Sequence, residues 1–378
     1  MRHLEAVNGA LRAVVAIAAV AAIAGCGASE TTSTNAGAGG DVTAAQQRVE
    51  QATGTLTAKL PDAKVDAGSR KTVAVVACNR VQPGCNQPAV GAVEALKAAG
   101  WDAKLIDGQG TSDKQNAAIR QALTLKPDGI ILSAIDPRTV QQALASAREQ
   151  GVKVVTLATL DSDLVDAPSS PTVDVYTETG TLLADFAIAR SEGAVKALVL
   201  HDSGFDILQP RFEGFVSRLK ECESCEVLET QAFTSADLAG GVPRLVQQMV
   251  QRHPDFNVIY VDYDDAVPPL LQALRSTGRA DEVQVLSSNG TVDATTCIAK
   301  QCGQDATTAF SLDGIGWAAA DQMIRVIAGA DLDGATYGIG VKLIDRDVAA
   351  KITAADGGGM WDGDSDYRDH YLELWGVK

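Results

Sequence analysis

Positive charge is what this sequence is short of: 32 Lys and Arg stand against 48 Asp and Glu, for a net −16 over 378 residues. So acidic a balance argues against nucleic acid, whose phosphates need cationic neutralisation, and against adhesion to anionic lipid by charge. Histidine is scarce, with four in the chain, and there is no H-E-x-x-H, no G-x-S-x-G and no P-loop. Those gaps leave little support for an enzyme. His201 ends an expected strand, but no nucleophile partners it in the sequence. Aromatic residues make up 4% while Gly alone numbers 35, a balance that suits a tightly packed α/β protein. Long apolar runs are also missing. The run over 13–24 is too short to span a bilayer.

That run belongs to a leader. Arg2 and Arg12 supply a basic start, and the apolar stretch closes on Ile23-Ala24-Gly25-Cys26, so residues 1–25 read as a signal peptide. The tetrapeptide resembles the lipobox of bacterial lipoproteins, which implies that Cys26 is diacylated and becomes the first residue of an exported, membrane-anchored protein. The alternative is an ordinary secretory peptide with a chance cysteine. Removing the leader, with Arg2, Arg12 and Glu5, leaves a net −17. The six other cysteines form three close pairs, Cys78/Cys85, Cys222/Cys225 and Cys297/Cys302. Outside the cell an even set reads as disulfides. Fifteen connectivities are open, of which local pairing is preferred. A zinc site built from Cys222, Cys225, Cys297 and Cys302 is the rival. A redox-active pair is disfavoured at Cys222–Cys225, because the flanking carboxylates of ECESCE raise a thiol pKa.

The mature chain is long enough for two domains. Residues 26–70 are expected to be a tether: 27–40 is rich in Gly, Ala, Ser and Thr, 43–60 could form a short helix, and 61–71 is linker again. The organising stretch is TVAVVACN, 72–79, a β-branched run ending on a polar tip, as in a central parallel strand. Further strands are expected at 102–106, 128–133 and 152–157, with helices at 87–99, 112–125 and 138–150. A short run at 172–176 leads out of this set. A second set follows, with strands at 195–201, 226–232, 257–261, 283–287, 306–310 and 339–344. Its helices fall at 180–192, 207–220, 236–252, 264–277 and 313–329. The expected fold class is α/β, two doubly wound parallel-sheet lobes joined by hinge strands. The first lobe takes 71–176 plus 309–332, the second 177–308 plus 333–378. In such sheets the ligand crevice lies beyond the carboxyl ends of the strands, where Asn79 and Arg80 sit.

An ordered set of motifs over about 70–378 resembles the ribose/galactose-type (type I) periplasmic solute-binding proteins of ABC sugar importers. It comprises VAVVACN, LIDGQGTSDKQNAAIRQAL, KPDGIILSAIDPRTVQQALASAREQGVKVVTL, the Arg211-x-x-Gly214-Phe215 motif, Tyr263-Asp264 followed by LLQALRSTGR, and Leu374-Trp375-Gly376. The resemblance implies a ligand held between two closing lobes and an ABC permease as partner; a monomer with neither cofactor nor metal is expected. It carries a ligand-binding set onto Asn79, Asp161, Arg211, Tyr263, Asp264, Asn289 and Phe310, while Asp136 is expected to cap the helix that starts at Pro137. Three positions depart from the family pattern: Tyr263 stands for Asn, Asn289 for a strand-end Asp, and Phe310 for Gln. The pocket is thereby less acidic and more aromatic, so a nucleoside, aromatic or partly apolar polyol fits as well as a simple sugar. A ligand sensor for a membrane signalling partner is the alternative to transport.

Two further motifs mimic known sites. Gly314-x-Gly316-x-x-Ala319 imitates a dinucleotide fingerprint but comes late in the chain, where glycine is better explained by close helix–sheet packing. Asp362, Asp364, Asp366 and Glu373 have EF-hand-like spacing, but Tyr367 occupies the position of the turn glycine, and a solvated acidic loop is the plainer reading.

Overall fold

The structure is a computed structural model that describes residues 36–332, 338, 340–354 and 359–377; the leader and Cys26 lie outside the described residues. Its first element is α1 (Ala36–Thr53). A four-stranded sheet follows, built from β1 (Thr72–Ala77), β2 (Asp102–Asp107), β3 (Gly129–Ser133) and β4 (Lys153–Leu157). All of its pairings are parallel, in the order β2-β1-β3-β4. Helices α2 (Pro83–Ala98), α3 (Ser112–Leu123) and α4 (Gln141–Glu149) cross between these strands. β1 and β3 are buried nearly throughout, as expected of β-branched runs covered on both faces.

The second lobe begins with α5 (Val173–Arg190). It continues through β5 (Lys196–Asp202), α6 (Leu208–Glu221), β6 (Glu226–Phe233), α7 (Gly241–Arg252), β7 (Val258–Val261), α8 (Val267–Ser276), β8 (Gln284–Ser288), α9 (Val292–Ala299) and β9 (Ala306–Ala309). The chain then returns to the first lobe as α10 (Leu312–Ala328) and crosses again to β10 (Lys342–Ile344) and α11 (Arg346–Ala354). The sheet order is β10-β9-β8-β7-β5-β6, with β10 antiparallel to β9. The expected α/β class and doubly wound parallel sheets are found. The run at 172–176 is not a strand; it contains the first turn of α5. α9 and α11 were not anticipated.

Helix α10 lies on α2 so closely that a Cβ on Gly316 would come 2.3 Å from the Pro88 carbonyl oxygen and 2.5 Å from the Ala92 nitrogen. Gly316 therefore serves a helix–helix contact, which corrects the helix–sheet expectation. The last helix, α12 (Tyr367–Leu374), packs on α10. Trp375 stacks on Trp317 with centroids 5.6 Å apart and donates its indole N–H to Asp321 at 2.7 Å. The segment 359–377 was expected in the second lobe, but α12 is fixed to a first-lobe helix.

The expected tether 26–70 is also corrected from residue 41 onward. α1 lies on α5, with Ala45 fully buried. Arg48 and Arg218 both pair with the buried Asp185, and Arg218 reaches Asp41 at 2.6 Å. The following segment bridges to Gly338 through Lys59. It then joins the first lobe, where Val65 N–H donates to the Leu374 carbonyl at 3.0 Å and Trp101 Nε1–H to the Ala67 carbonyl at 3.1 Å. The segment thus touches both lobes.

The cysteines pair locally. Cys78–Cys85, Cys222–Cys225 and Cys297–Cys302 have Cα separations of 5.5, 5.3 and 5.0 Å, within the range a disulfide can bridge. All four thiols of the rival zinc site are consumed by these bonds. The acidic loop is not simply solvated either. Asp362 accepts from Ser311 Oγ at 2.6 Å and Tyr367 Oη at 2.7 Å, Asp364 from the Leu56 N–H at 2.8 Å and Lys342 Nζ at 3.0 Å, and Asp366 caps α12. Those carboxylates hold the N- and C-terminal segments onto the globule.

Candidate functional site

The carboxyl-end tips of both sheets converge on one cleft of about 550 Å³, open solvent at its mouth included. From the first lobe come Gln82, Gly84 and Cys85 after β1, Ala134 after β3, Ala158 after β4, and Leu312 at the start of α10. From the second come Phe205, Ile207, Leu208 and Arg211 around the start of α6, Tyr263 and Asp265 after β7, and Asn289 after β8. Tyr176 and Phe310 sit where the chain passes between lobes, in edge-to-face contact at 5.3 Å.

Arg211 is the cationic anchor. It projects from α6, which approaches α5 closely because residue 214 is glycine; a Cβ there would lie 2.2 Å from the Thr177 carbonyl oxygen. Its Nη1–H donates to the Asp262 carbonyl at 2.6 Å and its Nε–H to Thr179 Oγ1 at 3.1 Å. The guanidinium carbon sits 5.4 Å from the Tyr176 ring centroid. The side chain is 1% exposed, so the planar donor fork is fixed before any ligand arrives. Burial raises the Tyr176 phenol above its ordinary pKa, keeping that wall neutral.

The sequence placed Arg211, Tyr263, Asn289 and Phe310 in the site, and all four line the cleft. The other three do not. Asn79 Oδ1 accepts the Val81 N–H at 2.9 Å, closing a turn at the β1 tip. Asp161 Oδ1 accepts the Ser169 N–H at 2.7 Å and orders the loop after β4. Asp264 points into its own lobe, accepting from Ser287 Oγ, from Thr307 Oγ1 at 2.8 Å and from the Thr291 N–H at 2.8 Å. Its neighbour Asp265 faces the cleft instead. Burial, with Asp264 and Asp293 nearby, pushes the Asp265 carboxyl up to about 6. The one-residue shift follows from the turn: Asp264 opens a 3₁₀ segment, Asp264–Ala266, whose first side chain is turned back to the strand tips. Asp136 caps the 3₁₀ turn Pro137–Thr139, accepting the Arg138 N–H at 2.9 Å. His201 is absent from the lining; it stacks on Phe212 and its Nδ1 lies 2.7 Å from Asp262 Oδ2.

Tyr263 Oη donates to Asp202 Oδ2 at 2.6 Å, which directs its ring rather than its hydroxyl at the cleft. The apolar lining residues Ile207, Leu208 and Leu312 carry no polar atoms to flag them in a sequence. Asp265 and Gln82 could have been found by their place at strand-to-helix turns.

A family model described as periplasmic binding protein domain matches residues 73–331. The chain is a periplasmic binding protein. That family match takes in the parallel strands of both sheets and every residue lining the cleft, and stops before the antiparallel edge strand β10. The ribose import binding protein of Salmonella typhimurium is 25% identical over 283 residues, 74% of this chain and 92% of the relative. Among solved structures, an ABC transporter solute binding protein from Mycobacterium smegmatis with bound glycerol superposes at a TM-score of 0.65, with 21% identity, over 78% of this chain and 100% of that one. One from Agrobacterium vitis with bound allitol gives 0.65 and 18% identity over 75% and 98%. Among the described residues no helix of this periplasmic binding protein is long and apolar enough to cross a membrane.

Proposed function

We propose that this protein is the extracytoplasmic substrate-binding component of an ABC importer, which captures a sugar or sugar-like molecule in the cleft and is tied to the membrane through a diacylated Cys26. The observation that carries the reading is Arg211, a buried and rigid five-donor cation at the meeting point of two lobes. A ligand whose oxygens meet Arg211 while its body packs on the opposite wall stabilises the closed arrangement over the open one, and only that difference in affinity can drive closure. Ribose import by a relative matched over 92% of its length, and glycerol and allitol in structural neighbours, support a polyol-sized ligand. Docking of the closed form on a permease follows from the same kinship.

A thermal-shift screen over pentoses, hexoses, polyols and nucleosides, followed by calorimetry on each hit, tests the capture reading. Saturable binding of at least one sugar or polyol supports it, and silence across all of them contradicts it. For the anchor, Cys26→Ser releases the protein from the membrane fraction; persistent membrane association removes the lipid.

A further inference from the structure

The two walls of the cleft differ in chemistry. The charged groups Arg211 and Asp265 and the amide of Asn289 belong to the second lobe, beside its apolar Phe205, Ile207 and Leu208, whereas the first lobe presents Cys85 as half of a disulfide, the methyl groups of Ala134 and Ala158, and Leu312, with the Gln82 amide as its one polar side chain there. Ala134 and Ala158 stand at the tips of neighbouring strands, joined by the Ala134 N–H donating to the Leu157 carbonyl at 2.9 Å. Both have φ of 53°. In that left-handed region Asn and Asp are enriched because their side chains bond locally, while alanine gains nothing to offset the steric cost. Two strand tips whose backbone favours a polar side chain thus carry methyl groups aimed at the ligand. A hydroxyl set against that wall would lose its water without gaining a partner.

We infer that the cleft selects a two-faced ligand: a sugar-sized ring whose hydroxylated edge meets Arg211, Asp265 and Asn289, and whose opposite edge is deoxygenated or methyl-bearing and packs on Ala134, Ala158 and Leu312. The inference rests on the sugar-capture reading above. Arg211 donates to ring or hydroxyl oxygens, ionised Asp265 accepts from hydroxyls, and Asn289 does both. The apolar edge is recognised by exclusion of hydroxyls.

Calorimetry on the full mature protein with matched pairs decides it: L-rhamnose against L-mannose and L-fucose against L-galactose, each pair differing by a methyl in place of a hydroxymethyl group, with ribose as reference. The expected result is that in at least one pair the deoxy sugar binds about tenfold or more tighter than its parent. Ala134→Asn and Ala158→Asn, which suit a positive φ and are expected to melt no lower than the wild type, reduce that preference. Equal or tighter binding of the hydroxylated parents overturns the two-faced ligand and leaves sugar capture standing. No binding by any of the five sugars overturns this inference and counts against the sugar reading beneath it. A preference that both asparagine variants leave intact assigns selectivity elsewhere and overturns the role of the alanine tips.

Discussion

Arg138 and Asp206 meet across the mouth of the cleft, Nη2 to Oδ2 at 2.7 Å, and so join the loop after β3 in one lobe to the loop after β5 in the other. Thr159 Oγ1 donates to the same carboxylate at 3.3 Å. Burial, and the neighbouring Asp136, raise the Asp206 pKa. Arg138 is more than half exposed, so the pair is screened and contributes roughly 0.5–1 kcal/mol. Asp206→Ala is therefore expected to weaken ligand binding about two- to fivefold and to enlarge the ligand-free radius of gyration, read by calorimetry and small-angle scattering.

Arg211→Ala removes a hydrogen-bonded cation from the cleft. Binding is expected to weaken by about 1.5–3 kcal/mol, measured by calorimetry. The melting temperature is expected to fall as well, because the Asp262 carbonyl and Thr179 lose a donor. Arg211→Lys keeps the charge but not the fork, so it is expected to recover stability better than affinity.

Asp265 sets binding against stability. Its folded pKa, about 6, lies above the ordinary 3.8, so the fold favours the neutral acid. That stabilising contribution is full below pH 3.8 and is lost as pH rises through about 6. Asp265→Asn is expected to stabilise the ligand-free protein at pH 8 by on the order of 1–2 kcal/mol and to change little at pH 3.5, read from urea unfolding. Ligand affinity is expected to fall in the same variant, and to fall in the wild type below pH 6 as the acceptor is protonated.

The β1–α2–β2 alternation was legible because buried parallel strands read as unbroken β-branched runs, and β1, Thr72–Ala77, falls within the organising stretch 72–79. Four lining residues, Arg211, Tyr263, Asn289 and Phe310, were legible because they lie at or near strand–helix junctions that a motif can mark. What escaped was set by geometry rather than residue type. Asp264 and Asp265 are indistinguishable in a sequence, and one turn decides which faces the ligand. α1 opens with glycine and alanine, a composition that reads as flexible. What fixes it is Asp185, 137 positions beyond Arg48.

That buried cluster makes α1 part of the fold. Asp185 is fully buried between Arg48 and Arg218. Removing it leaves Arg218 buried without its main counter-charge, so Asp185→Ala is expected to cost about 3–5 kcal/mol in denaturant unfolding. Arg48→Ala is expected to cost only about 1 kcal/mol, since that side chain is partly exposed.

Capture by two walls at once is tested most directly by hydrogen–deuterium exchange with and without the tightest-binding sugar from the calorimetric panel. Amides near Ala134 and Ala158 in one lobe and near Arg211, Asp265 and Asn289 in the other are expected to slow together on saturation. Protection confined to a single lobe, or falling outside these tips, would contradict closure around the ligand.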